Sequence, residues 1–215
     1  MQKQHILGRI DHTLLRQDAT LAQIEQVCKE AIEYSVASVC IPPFFVSNVA
    51  SFTKGEIPIC TVVGFPNGYQ TTATKIFEAT DAIKNGADEI DMVINLGWVK
   101  EGLYEEILQE INAVKKVCGY KVLKVIIETV LLTEDEKIRM CEVVSHSDAD
   151  YIKTSTGFAG GGATLKDIEL FSKYTFGNTK IKAAGGIKTI QDAEEFLQAG
   201  ASRLGSSSLL GLLVK

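Results

Sequence analysis

The chain has 215 residues, 46% of them apolar, and a formal net charge of −5. That length fits one large domain or two small ones and suffices to bury a core. The charge balance, with no long run of one sign, argues against a nucleic-acid surface, and no apolar run is long enough to cross a bilayer.

The N-terminal MQKQHILGRIDHTLL lacks the apolar centre of a secretory leader, and a first strand is expected within it at Gly8–Thr13. A helix follows at Leu21–Ser35, where Leu21, Ile24, Val27, Cys28 and Ala31 share one face and Asp18 or Thr20 offers an N-cap. Strands are predicted at Ser38–Ile41 and Ile59–Gly64, the second running into the turn FPNG, Phe65–Gly68. The stretch TTATKIFEATDAIKNGAD reads as a helix that stops at Asn85–Ala87 and leads into a strand at Glu89–Asn95. Next come a helix from Tyr104, strands at Lys121–Thr129 and Tyr151–Ser155, and a helix from Thr164. A strand at Lys180–Gly186, a helix stopping at Gly200 and a strand at Ser202–Ser207 complete the alternation, with LGSSS opening a last helix.

Several of these strands are near-continuous apolar runs, as parallel strands covered on both faces should be. Alternating β and α segments give a closed barrel or an open doubly wound sheet. Eight strands favour a single-domain (β/α)8 barrel over residues 1–215, short for that fold but within its range. No GxGxxG follows the first strand, which counts against a dinucleotide-binding open sheet.

Ionisable residues lie where an apolar strand should exclude them: Asp11, Asp91, Lys124, Lys153 and Lys182. Any one of them alone reads as part of a structural ion-pair network; the set together, at the strand ends where a barrel keeps its chemistry, points to a site. Lys153 and Lys182 sit on successive strands about 4.8 Å apart. Burial and a second positive charge are two ways to keep an amine neutral, so the pair suits Schiff-base chemistry. The alternative is that Lys182 binds a phosphate or pairs with Asp91. Asp91 is the candidate for proton transfer, or else the counter-ion that lets the lysines exist in a core. Asp88 and Glu89 read as solvated charges at the strand entrance. Asp11 is open between a mouth contact and an N-cap, His12 reads as a satisfied polar contact, and Glu128 and Thr129 as closing the mouth.

An anion site is expected where Gly185 and Gly186 follow the seventh strand and Gly205 with Ser206, Ser207 and Ser208 follows the eighth, because glycines let backbone N–H groups approach a phosphate. Thr154–Gly157 are expected to face substrate, and the run from Ala159 to Thr164 reads as a flexible lead into a helix. Phe65–Gly68 lines the pocket or is a plain turn. Trp98 and Tyr104 read as packing or surface residues. The five cysteines (28, 40, 60, 118 and 141) include no CxxC and suit reduced thiols in a cytoplasm, with Cys40 inert. The three histidines form no HExxH, so no metal site is announced.

Taken in order, IDHTLL, GADEIDMVINLG, LKVIIET, YIKTSTGF, KAAGGIKT and LGSSS resemble the deoxyribose-phosphate aldolase family of class I aldolases almost end to end. The resemblance implies a (β/α)8 barrel, reversible cleavage of 2-deoxyribose 5-phosphate to glyceraldehyde 3-phosphate and acetaldehyde, no metal or organic cofactor, and a homodimer. By motif it implies Lys153 as the Schiff-base residue, Lys182 as the lysine that tunes it, and Asp91 as proton donor and acceptor. Lys124 and Asp11 are implied as supports, and Gly157, Gly185, Gly186, Gly205, Ser207 and Ser208 as the phosphate site. Three departures stand out: Phe158 where some members have a phosphate-binding lysine, Lys188 where an arginine is common, and an ending in GLLVK without the tyrosine-bearing tail of some members. A phosphate-binding isomerase or lyase without a covalent intermediate, and a binding protein without turnover, are the competing readings. The lysine pair argues against the first and the intact Asp91–Lys153–Lys182 set against the second.

Overall fold

The computed structural model describes residues 3–214. Eight parallel strands close on themselves in chain order: β1 (Ile10–Thr13), β2 (Ser38–Ile41), β3 (Ile59–Val63), β4 (Glu89–Val93), β5 (Val122–Ile126), β6 (Tyr151–Lys153), β7 (Lys180–Ala184) and β8 (Arg203–Ser206). The closed barrel is therefore observed and the open sheet is not. β2 matches its expected segment, β1 starts two residues later and ends where expected, and β3 to β8 stop earlier than expected because their trailing residues turn into the loops at the barrel mouth.

The helices are α1 (Lys3–Leu7), α2 (Leu21–Glu33), α3 (Val46–Thr53), α4 (Thr72–Lys84), α5 (Leu96–Lys100), α6 (Tyr104–Cys118), α7 (Glu134–His146), α8 (Leu165–Tyr174), α9 (Ile190–Gln198) and α10 (Leu209–Val214). Thr20, not Asp18, caps α2 in a reciprocal capping box with Gln23, while Asp18 instead takes Arg16. The sequence reading gave no helix at α3 or α7. In α7 the signal was present, since Thr133 and Glu136 form a capping box and three acidic residues occupy its first turn. In α3 the β-branched and polar residues of VSNVASFT weaken helix propensity, and packing of Val46 and Val49 against the core outweighs it.

The main core lies between the strands and the helices, built from side chains such as Ile10, Ile41, Ile90, Val125 and Ile152 on the outward strand face against Ile24, Ile107, Val144 and Ile168. Trp98 and Tyr104 pack partly buried against it, as packing residues should. Among the described residues, no helix is long and apolar enough to cross a membrane.

One feature of the helix layer is ionic. Lys75 on α4 meets Glu110 on α6 at 2.7 Å, both side chains fully buried, with Thr72 Oγ1 donating to the second Glu110 oxygen at 3.1 Å. Breaking such a pair leaves a buried charge uncompensated, whereas replacing both partners with apolar groups removes the desolvation cost as well. Lys75→Ala should therefore lose about 3–5 kcal/mol in denaturant unfolding, and the double replacement Lys75→Met/Glu110→Leu should recover most of it.

Candidate active site

The inward face of the barrel carries charge where branched apolar side chains are usual. Strand register sets the pattern: Asp91 on β4 lies opposite Lys124 on β5, and Lys153 on β6 opposite Lys182 on β7. Asp91 is fully buried at the centre. Its Oδ2 accepts from Lys153 Nζ and Lys182 Nζ, each at 2.7 Å, and its Oδ1 accepts from Lys124 Nζ at 2.8 Å and from Cys60 Sγ at 3.2 Å. The network continues below. Lys182 also pairs with Asp11, whose other oxygen takes Arg203 at 2.6 Å and the Ser38 hydroxyl at 2.8 Å. Lys124 also pairs with Glu89 at 2.6 Å, and Arg203 reaches Glu89 at 3.1 Å.

Two expectations change here. Glu89 is a buried member of this network and not a solvated charge; of the two acids before Asp91, only Asp88 sits at the entrance, paired with Lys121 at 2.6 Å. Asp11 is neither a mouth contact nor an N-cap but a buried counter-ion in the barrel. Arg203 was not singled out from sequence; its place as the first residue of a strand, opposite Lys182, was the available signal.

Burial by itself would push the carboxyls up, but the ammonium groups of Lys124, Lys153 and Lys182 hold Asp91 well below the usual range. Asp11 is likewise lowered against its burial, by Lys182, Lys124 and Arg203. Burial would push the amines down, yet Asp11 and Asp91 raise Lys182, and Asp91 with Cys60, Asp11 and Glu89 raises Lys124. Asp91 is thus a permanent anion at neutral pH, which makes the counter-ion role part of its chemistry. Cys40 is buried as expected but has a neighbour, its register partner Cys60, whose hydrogen bond lowers the Cys40 thiol while burial pushes Cys60 up. Cys40, Cys60 and Asp91, or Asp11, Cys60 and Glu89, stand close enough to ligate a cation, but the carboxylates of both sets already face lysine or arginine nitrogens that such an ion would have to displace.

Above the network a cavity of about 440 Å³ opens to solvent, and Lys153 is the network lysine that lines it. Gly157, Gly185, Gly186, Gly205, Ser207 and Ser208, the expected phosphate residues, all line the same cavity. Gly185 and Gly186 both hold left-handed backbone, φ 75° and 74°, which turns successive peptides toward one side. At Gly205 a Cβ would come within 3.2 Å of Lys182 Cε, so glycine leaves room for that side chain. Ser206 is used differently: its hydroxyl accepts the N–H groups of Ser208 and Leu209 at 3.2 and 3.1 Å and opens α10. Lys188 and Arg16 add cations to the lining.

The stretch after β6 divides at another point than expected. Thr154 is buried, and its hydroxyl ties β6 to Ala184 on β7, donating to its carbonyl at 3.1 Å and accepting its N–H at 3.0 Å; Ser155 is buried too. Only Thr156 and Gly157 of the four reach the cavity. The glycine run behind them is open at Ala159 and Gly160 but packed at its end, where Gly161 lies against Val130 and Gly162 against the β7 loop. A Cβ on Gly162 would lie 2.4 Å from Gly185 C and 2.7 Å from Gly186 N, so the loop presses directly on the glycine shelf. Phe158 is 46% exposed and meets Phe65 edge-to-face, with ring centroids 5.3 Å apart, which also places the FPNG turn at the cavity rim. His12 meets Glu30 through Nε2 at 2.9 Å, but its Nδ1 is buried without a hydrogen-bond partner among the described residues, so the expected polar contact holds at one ring nitrogen only; Glu128 closes the mouth by holding Thr156.

Comparison with known proteins bears on the family and the fold. A family model described as DeoC/LacD family aldolase matches residues 6–213. A deoxyribose-phosphate aldolase of Clostridioides difficile (strain 630) is 58% identical over 97% of this chain and 95% of its own length. One from Streptococcus agalactiae (strain A909) is 51% identical, covering 99% of this chain and 96% of its own. The solved tetrameric deoxyribose phosphate aldolase of Aeropyrum pernix superposes with a TM-score of 0.89 at 27% identity, over 99% of this chain and 91% of that one.

The pH dependence follows from the shifts. Asp11 and Asp91, lowered from an ordinary value of about 3.9, add stability that is complete above that value and lost as pH falls through their lowered values. Lys124 and Lys182, raised from about 10.4, add stability that is complete below that value and lost as pH rises through their raised values. The unfolding free-energy difference between the wild type and Asp91→Asn should therefore stay flat between about pH 5 and 9 and shrink below about pH 4, read by denaturant titration.

Proposed function

Because the chain belongs to the DeoC/LacD aldolase family, we propose residue roles for the activity it has as a deoxyribose-phosphate aldolase, the reversible cleavage of 2-deoxy-D-ribose 5-phosphate to D-glyceraldehyde 3-phosphate and acetaldehyde. The observation that carries the proposal is a single carboxylate oxygen, Asp91 Oδ2, shared at 2.7 Å by the cavity-facing Lys153 and by Lys182.

Lys153 is the nucleophile. It touches Asp91 alone among the carboxylates, whereas Lys182 is also held by Asp11 and Lys124 by Glu89, so Lys153 is the amine that can leave the network with least disruption. It attacks the C1 aldehyde of the open-chain sugar, and loss of water leaves an iminium that withdraws electrons from C2. A water held between the Asp91 carboxylate and the Lys182 ammonium takes the proton from the C3 hydroxyl and returns it at C2 after the bond has broken. The C2–C3 bond then breaks and its electrons form an enamine. Protonation at C2 and hydrolysis release acetaldehyde and restore Lys153. Lys182 stays cationic beside the nucleophile and positions the Asp91 oxygen that both share. Lys124 and Asp11 fix those partners from below. The phosphate rests on Gly157, Gly185, Gly186, Gly205, Ser207 and Ser208, with Lys188 in place of the arginine common in the family. With Phe158 standing where some members have a lysine, Arg16 is a cation on the same lining that can take over that contact.

The whole chain, 1–215, is read as one catalytic barrel. Its cysteines, all free among the described residues, suit a reducing cytoplasm. The assembly is read as a homodimer, for which the exposed rings of Phe44 and Phe77 offer apolar area, and light scattering at working concentration should return twice the chain mass.

Borohydride reduction in the presence of acetaldehyde, followed by peptide mapping, should place the adduct on Lys153. An adduct on Lys182 alone would remove Lys153 from its role. Lys153→Leu should lower kcat by on the order of 10³-fold or more, and treatment with a chelator should leave the wild-type rate unchanged.

A further inference from the structure

Glu128 is buried at the barrel mouth just beyond β5, outside the ionic network around Asp91. Its backbone is left-handed, φ 52° and ψ 66°, a conformation that is costly for a residue with a side chain and that tends to be retained where a site needs it. The carboxylate is aimed at one residue. Its oxygens accept the Thr156 backbone N–H at 3.2 and 3.3 Å and the Thr156 hydroxyl. Thr156 Oγ1 in turn accepts the N–H of Phe158 at 3.0 Å. The chain of bonds spans Gly157, which holds φ 85° between the two fixed residues. All three residues, Thr156, Gly157 and Phe158, line the cavity. The root of the same loop is tied to the same turn, since Thr129 N–H donates to the Thr154 carbonyl at 3.0 Å.

A carboxylate suits this position because it offers two acceptors and no donor, and Thr156 presents two donors. Glutamine would keep one acceptor and turn an N–H₂ group toward a donor. Alanine would leave both Thr156 donors without their partner.

Resting on the phosphate site read above, we infer that Glu128 is a positioning residue: it holds the Gly157 peptide at the phosphate end of the cavity and thereby sets the preference for phosphorylated over unphosphorylated sugar. The lysines do not depend on it for contact, so the carbon-bond chemistry at Lys153 is not affected by its loss.

The test compares kcat and KM for 2-deoxyribose 5-phosphate and for 2-deoxyribose in the wild type, Glu128→Gln and Glu128→Ala. With the phosphorylated sugar, Glu128→Ala should raise KM about tenfold or more, the scale of losing hydrogen bonds to a charged group. With the unphosphorylated sugar, kcat/KM should stay within about twofold, and Glu128→Gln should fall between wild type and alanine. Competitive inhibition by inorganic phosphate should weaken in parallel, while borohydride trapping of acetaldehyde proceeds at the wild-type rate. Should the alanine variant not fold, the phosphate inhibition constant of Glu128→Gln decides alone. Equal losses for both sugars, or an unchanged preference in Glu128→Gln together with an unchanged phosphate inhibition constant, would overturn the inference. A wild-type enzyme with no preference for the phosphorylated sugar would overturn the phosphate site itself, an outcome seen before any variant is measured.

Discussion

The contact of one buried carboxylate, Asp91, with three ammonium groups is the interaction on which the rest of this structure depends. A barrel interior filled with Lys124, Lys153, Lys182 and Arg203 could not close without anions to meet them, since each unpaired charge would cost several kcal/mol in desolvation. Asp91, Asp11 and Glu89 meet that need, and they come from β1 and β4, while the cations come from β5, β6, β7 and β8. Closure of the sheet and assembly of the site are therefore one event. Asp11 on β1 reaches Lys182 and Arg203 only because β1 pairs with β8. The same pairing holds Lys182 in its charged form beside Lys153.

The sequence made the barrel legible because its strands are short β-rich runs between amphipathic helices, and eight of them admit few arrangements. It made the three central residues legible for a different reason: a lysine in YIKTS or an aspartate in EIDMV has no place in an ordinary core. Glu89 was misread because it begins its strand, where an acid is usually solvated. Only closure shows that β5 and β8 bring Lys124 and Arg203 to it. Asp11 was ambiguous on the same ground, its nearest cations, Lys182 and Arg203, lying on the last two strands.

The glycine run after β6 failed differently. Glycines in a loop signal freedom when read alone, and nothing in the run Gly160 to Gly162 says that a second backbone lies against its last residue. Gly162 is small because the Gly185–Gly186 peptide occupies the space a side chain would take. Glu128 had no sequence signature either, since its left-handed backbone and its grip on Thr156 are properties of two loops meeting. Helix α7 was legible in its cap but was passed over, whereas α3 owes its form to packing more than to propensity.

The interior network sets three carboxylates against four cations, so its formal balance is one positive charge, while the chain as a whole carries −5. A doubly anionic sugar phosphate thus meets a field that changes sign along its approach: repulsive in the far zone, attractive once Lys188 and the buried surplus beneath Lys153 come within a Debye length of about 8 Å. Capture is therefore short-ranged. Salt that screens the outer repulsion leaves the buried attraction largely intact.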